Sequence, residues 1–194
     1  MVRFLEFLFR IMFRMLLSIS STSLLPVIYL VKSSIYLVEL EEPFAQYNMI
    51  INIFIYLIIV FMLFGVSLFL ITKMDNDSIN NEIKDIKNVD NEYLPIYLAY
   101  FFVALSIPTE HVLNQDLAIM IFIYTLICVF LISSKTLSFN PIFIIFGYSY
   151  YLVKTQNGKN IFVLTRKKIG KNSNNISFPN LRKISEIEYY DKDN

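Results

Sequence analysis

The residues able to do chemistry in this chain are few and scattered. The single histidine, His111, follows Glu110, and one histidine beside one carboxylate falls short of the three or four ligands of a zinc-type site. Asp75-Asn76-Asp77 opens like a calcium loop, but Ile79 and Asn80 stand where the third ligand and the turn glycine belong. The lone cysteine, Cys128, lies in an apolar run, so no disulfide framework and no cysteine-based metal site is available. HExxH, GxSxG, CxxC and GxxxxGK[ST] are all absent. Two clusters remain. Ser18, Ser20, Ser21, Thr22 and Ser23 crowd the stretch before Pro26, and Ser18, Ser21 and Thr22 share a helical face at i, i+3 and i+4. Arg166, Lys167, Lys168 and Lys171 form a basic run. These residue types offer recognition and packing, so the expectation is a non-enzymatic protein with no metal and no cofactor.

The elements that must position these clusters are apolar. Of 194 residues, 56% are hydrophobic, against about 45–50% in a soluble domain. Four stretches read as membrane spans: Ile11–Val31, Met49–Thr72, Leu94–Ile107 and Leu117–Ile132. No acidic residue sits in the central thickness of any of them, which argues against proton-coupled transport. Basic residues alternate between the flanks. Arg3, Arg10 and Arg14 precede the first stretch, Lys73, Lys84 and Lys87 follow the second, and ten more lie beyond Ile132. The segments Ser33–Tyr47 and Thr109–Asp116 carry none, and Lys32 is the single exception at the border. Basic flanks stay in the cytoplasm, so both ends are expected inside. The basic start resembles a signal peptide, but no small-residue cleavage site follows, which predicts an uncleaved first helix.

The serine face has two readings, a close-packed interface of small residues and a polar lining for a solute path. Pro26 removes the hydrogen bond to the Thr22 carbonyl, and Gly65 in the second span reads as a close-packing position. In the connection Lys73–Tyr93, Ile79, Ile83 and Ile86 recur at i, i+4 and i+7, which suits a short amphipathic helix or a solvated loop. After Asn140-Pro141 comes an apolar run too short to span, Ile142–Phe146. Gly147 then opens strand-like alternation. Asn157-Gly158 predicts a hairpin with a type I′ turn, Tyr151, Val153 and Thr155 facing Phe162 and Leu164. A third strand is expected over Ile184–Tyr190, giving a three-stranded cytoplasmic sheet. The basic run reads as adhesion to anionic lipid or docking of an acidic partner; its only near aromatic is Phe162, so direct nucleic-acid binding is not expected.

The order of parts resembles the membrane subunit of the Kiwa anti-phage defence system. The likeness rests on the Ser-rich first span with Pro26 (Ser18-Ile-Ser-Ser-Thr-Ser-Leu-Leu-Pro), the four spans, and the junction from Asn140-Pro141 through Gly147-Tyr148 into a β-rich tail. It implies an inner-membrane subunit that self-associates, responds to infection and acts through a soluble cytoplasmic partner, with no catalytic residues to carry over. The expected architecture is a four-helix transmembrane bundle over residues 1–139 with a cytoplasmic β-rich tail over 140–194. The alternative is a small oligomeric channel.

Overall fold

The computed structural model describes residues 2–74, 76–79, 83–109, 113–133, 139–169 and 178–192. The helices are α1 (Val2–Thr22), α2 (Leu24–Lys32), α3 (Asn48–Thr72), α4 (Asp90–Ser106), α5 (Leu113–Ser133) and α6 (Pro141–Ile145). Between α3 and α4 lie β1 (Asn76–Ile79) and β2 (Ile83–Asn88), and after α6 come β3 (Ser149–Thr155), β4 (Asn160–Thr165), β5 (Phe178–Lys183) and β6 (Glu188–Asp191).

The α3 and α5 segments are each long and apolar enough to cross a membrane, and α1 with α2 passes the same test as a pair bent by 44°. The burial pattern of α3 explains what such a helix needs. Asn52, Tyr56, Val60, Phe64, Ser67 and Ile71 form one narrow buried stripe, and apolar side chains such as Phe54, Met62 and Phe69 are exposed around it. Helix α4 has 17 residues with Pro95 inside. At 1.5 Å per residue it reaches about 26 Å, short of the roughly 30 Å hydrocarbon core.

Residues 90–93 open α4, and residues 73–89 are neither amphipathic helix nor solvated loop over their described length. They supply β1 and β2 to a six-stranded sheet ordered β1-β5-β6-β4-β3-β2. The expected three-stranded tail is thereby corrected, and the sheet crosses the expected division at residue 139. The isoleucine spacing misled because a bulge between Ile83 and Asp85 adds a residue to β2. Ile83 and Ile86, three apart, then both pack inward.

The tail hairpin forms, but one residue out of the expected register. Tyr151 pairs with Val163 and Val153 with Ile161, whereas Phe162 and Leu164 pair with Leu152 and Tyr150 on the other face. The turn is not type I′. Gly158 alone has positive φ (76°), its N–H bonds Thr155 O, and Thr155 N–H bonds Lys159 O. This is a three-residue loop closed by a glycine bulge. Of the expected third strand over Ile184–Tyr190, residues 184–187 form the turn between antiparallel β5 and β6, and only residues 188–190 are strand, in β6, which lies parallel to β4.

Chain length forces this sheet to curl. Five inter-strand spacings would separate flat β1 and β2 edges by about 24 Å, but the four Cα steps from Ile79 to Ile83 reach at most about 15 Å. The curled sheet encloses Val153, Val163, Phe178 and Leu181, all essentially inaccessible. Its outer face, with Tyr148, Tyr150, Leu164 and Tyr190, packs on the helix ends in a second cluster with Phe64, Ile71, Phe139 and Phe143. Because both edge strands come from 76–88, a fragment of residues 140–194 alone is expected to lack a dispersed amide NMR spectrum. A dispersed spectrum from that fragment would contradict the six-stranded assembly.

Candidate functional site

The polar groups worth following lie where the apolar helices meet the sheet. Pro26 cannot donate to Thr22, and the chain breaks at Ser23 between α1 and α2. Ser18, Ser20, Ser21, Thr22 and Ser23 are all buried. Most of their hydroxyls turn back on their own helix. Ser21 Oγ and Thr22 Oγ1 donate to Ser18 O at 2.9 and 2.7 Å, and Ser23 Oγ donates to Ser20 O at 2.8 Å. Thr22 Oγ1 also lies 3.4 Å from the Tyr124 hydroxyl and 3.8 Å from Cys128 Sγ, both on α5. Pro26 itself is half-buried at the bend.

Ser20 faces elsewhere, and that direction leads to the sheet. Its Oγ accepts from Asn140 Nδ2 at 3.0 Å. Asn140 is the N-cap of α6: its Oδ1 accepts from Ile142 N–H at 2.9 Å, and Pro141 follows at the first helical position. The Asn140 N–H donates to the Tyr150 hydroxyl at 2.9 Å. The backbone of Tyr150 in turn binds α4, receiving Val89 N–H at 3.0 Å and donating its own N–H to Asp90 Oδ1 at 2.7 Å. Tyr97 on α4 donates its hydroxyl to Phe139 O. One asparagine thus ties α1, α6 and β3 together in an apolar setting, and Tyr150 and Phe139 extend the link to α4. Burial pushes the Tyr150 phenol well above its ordinary pKa, so it stays protonated.

The basic run is not a uniform surface. Lys167 Nζ lies 3.2 Å from Asp191 Oδ2, whose side chain is fully buried and also accepts from Thr165 Oγ1 at 2.9 Å. Lys167 therefore closes the sheet interior at this end. The Arg166 guanidinium stacks 4.3 Å over Tyr148, whose hydroxyl shares a hydrogen bond with Tyr190. Burial and that bond raise the pKa of Tyr190. Lys168 is exposed. Lys171, Glu110 and His111 lie outside the described residues. Gly65 is exposed, and a Cβ built there meets nothing within 4 Å, so within one chain it marks no close approach. Among the described residues no three His, Cys, Asp or Glu side chains gather to hold a metal.

Sequence reasoning missed a clamp at the other end. Asn52, inside the second apolar stretch, accepts from Leu37 and Val38 N–H at 2.7 and 3.0 Å and donates to Val38 O at 2.7 Å. Asn48 exchanges bonds with the backbone of Leu40, and Tyr56 donates to Ile35 O. The spacing Asn48, Asn52, Tyr56 (i, i+4, i+8) was the available signal. Lys32, expected simply to reach water, donates to Leu105 O and Ile107 O at 2.6 and 2.8 Å and so caps the C-terminal end of α4.

The model of one protein family, the anti-phage protein KwaA, matches residues 13–190. The chain belongs to the KwaA family. That match bears out the resemblance to the Kiwa defence subunit and runs through the whole junction, from the serine face of α1 to Tyr190 on β6. It assigns an anti-phage role. Comparisons with curated proteins and with solved structures return no match. Within the KwaA-family frame, the junction is expected to depend on Asn140. Asn140→Ala removes a cap and leaves buried partners unsatisfied, and should destabilise the protein in detergent by about 2–3 kcal/mol. Ser18→Ala should cost little, because Ser18 Oγ is buried without a partner. Thermal unfolding of both variants checks this, and equal losses would contradict it. In the same assay Lys167→Ala should cost about 2 kcal/mol by leaving Asp191 uncompensated, with Lys168→Ala near neutral.

Proposed function

We propose that this chain is a non-enzymatic, multi-pass subunit of the bacterial inner membrane. In anti-phage defence it senses or anchors, self-associates and recruits a soluble cytoplasmic partner. The observation carrying the topology is a parity constraint. Strands β1 and β2 pair with β5 and β3, which supports a topology with all six described strands on one side of the membrane. The chain between them must cross an even number of times. If α5 crosses, the shorter α4 must cross with it, which gives four spans when the bent α1–α2 pair counts as one. The bonds from Lys32 to the end of α4 support the α2 and α4 ends lying on one side, and the basic flanks support a cytoplasmic sheet.

The sensing role draws support from the Ser20–Asn140–Tyr150 path, which connects a bent helix pair to the sheet through buried hydrogen bonds. We assign packing to Ser18, Ser21 and Thr22. Self-association is attributed to the apolar outer face of α3, where Gly65 leaves room for a second helix to approach. The channel reading draws less support, because the serine side chains are buried and the Ser21, Thr22 and Ser23 hydroxyls donate to their own helix. The basic turn at Arg166 and Lys168 is assigned to anionic lipid, and recruitment to the sheet. Its β2 edge offers little room for strand addition, since Asp85 Oδ1 already takes the Ile86 N–H at 2.9 Å.

Cysteines placed in Ser33–Tyr47 should label from outside intact cells, and one at Lys84 only after permeabilisation. Labelling at Lys84 in intact cells overturns the topology. The tagged chain should co-purify with a soluble protein encoded beside it and pass no ions alone in liposomes. Ion flux from the chain alone would favour the channel instead.

A further inference from the structure

The strand order of the sheet conceals its connectivity. By their pairings β1, β2, β4 and β6 run in one sense, and β3 and β5 in the other. Neighbouring parallel strands need a crossover of about a dozen residues or more, and only residues 80–82 separate β1 from β2. The two are therefore successive lengths of one strand course, which pairs with β5 at one end and β3 at the other and closes the curled sheet. With that course counted as the first strand, the ring runs first, second, third, fifth, fourth, and the third and fifth are parallel. This is the connectivity of the oligonucleotide-binding barrel. Ligands of such barrels lie on the outer face of the second and third strands, between the loop after the first strand and the loop before the fifth.

Connectivity locates a face, and the residues on it decide its use. Here the second and third strands are β3 and β4, the loop after the first carries α4 to α6, and the loop before the fifth is 184–187. An aromatic cleft lies at that place, lined by Tyr93 and Phe139 from the helical insertion, Phe162 from β4 and Ile184 from the loop. Its floor is closed by Phe139, Tyr150 and Glu188, all buried. Its rim is open: Tyr93, Phe162 and Ile184 are partly exposed, as is Leu152 opposite Phe162. Packing holds the rim rings in place, since Tyr93 stacks on Phe139 at 4.4 Å and meets Phe162 edge-on at 6.4 Å.

Beyond the rim the same face turns basic. Lys154 follows the inward-packed Val153, so it stands on the outer face, one diagonal step from Phe162 across the ladder. Lys159 is exposed in the adjoining hairpin loop, and neither lysine is in an ion pair among the described residues. The acidic groups on this side are Asp85, opposite Lys154 on β2, and Glu92, which pairs with Lys87. An acidic peptide would satisfy the lysines and leave the rim rings uncovered. Unpaired bases on a phosphate backbone satisfy both.

We infer that this face binds single-stranded nucleic acid, with a base stacked on the exposed rim at Phe162 and Tyr93 and the adjoining phosphates passing Lys154 and Lys159. The basic run at Arg166 gives no such indication, because this face is assembled from β3, β4 and α4, which are remote in sequence. The inference goes beyond partner recruitment and rests on the membrane reading only for the cytoplasmic position of the sheet.

The test uses the full chain in neutral detergent and follows the fluorescence anisotropy of labelled oligothymidylate and oligouridylate of about 12 nucleotides. At least one should bind, and a duplex of the same length should bind more weakly. Phe162→Leu, which keeps an apolar side chain in the sheet, should weaken binding about tenfold. Lys154→Gln and Lys159→Gln should each reduce the slope of log affinity against log salt by about 0.7, with Lys168→Gln as an unaffected control. No binding of either oligonucleotide, a duplex bound as tightly, polyglutamate competing equally, or unchanged affinity and salt slope in the variants would each overturn the inference. Should Phe162→Leu fail to fold, the two lysine variants and the duplex decide. Binding in detergent does not depend on the topology, so cysteine labelling tests the membrane reading separately.

Discussion

Asn140 occupies the point where three hydrogen-bonding systems meet in an apolar environment. Its side chain caps α6 with one end and reaches Ser20 with the other, and its backbone N–H donates to the Tyr150 hydroxyl. A buried amide left unsatisfied is costly, so each of these partners holds the others in place. If α6 shifts, the Ser20 contact to α1 is lost; if β3 shifts, the N–H of Asn140 is orphaned. The aromatic packing around it follows the same geometry, with Phe139 against Tyr93, Tyr97 and Tyr150, and Phe143 against Phe64. The sheet is thus seated on the helix ends by polar groups whose positions are set by apolar ones.

The polar clamp at the opposite end uses the same economy of means. Asn48 and Asn52 offer side-chain amides one turn apart, and an extended segment binds to them much as a strand binds a neighbour. The connection between α2 and α3 therefore needs no fold of its own. Lys32 adds a bond from α2 to α4 at that end. Each end of the helical layer is held by side chains that would be expensive to bury unpaired.

Hydropathy and charge made much of this legible from sequence. The last three apolar helices begin and end within a few residues of the expected limits, the first begins well before Ile11, and the break at Ser23 follows from Pro26 and the hydroxyls before it. The hairpin at Asn157-Gly158 was equally legible, because glycine supplies the one positive φ the loop needs. Its register was not, since alternation on both faces of β3 and β4 allows either pairing when both faces are buried. Strands β1 and β2 escaped because a bulge turned a period of two into a spacing of three. Of the candidate site residues, the serines were recognised by type, but only the fold places Ser20, rather than Ser18 or Ser21, opposite Asn140. Likewise no spacing distinguishes Lys167, committed to buried Asp191, from Lys168 beside it.

The split origin of the sheet also bears on how the protein is made. Strands β1 and β2 leave the ribosome long before β3, β5 and their neighbours, and cannot complete their pairing until α4, α5 and α6 have been synthesised. Loop-closure entropy over that separation makes the sheet a late event in folding. On the multi-pass topology proposed above, the nascent chain must keep two unpaired strands out of trouble while later helices enter the bilayer. Asp85, Lys84 and Lys87 on β2 suit that interval, because charge on an exposed edge discourages wrong partners. Closure of the sheet then serves as a completion signal. On that proposed topology, a chain that inserted with a helix inverted would strand its halves on opposite faces of the membrane and never close the sheet.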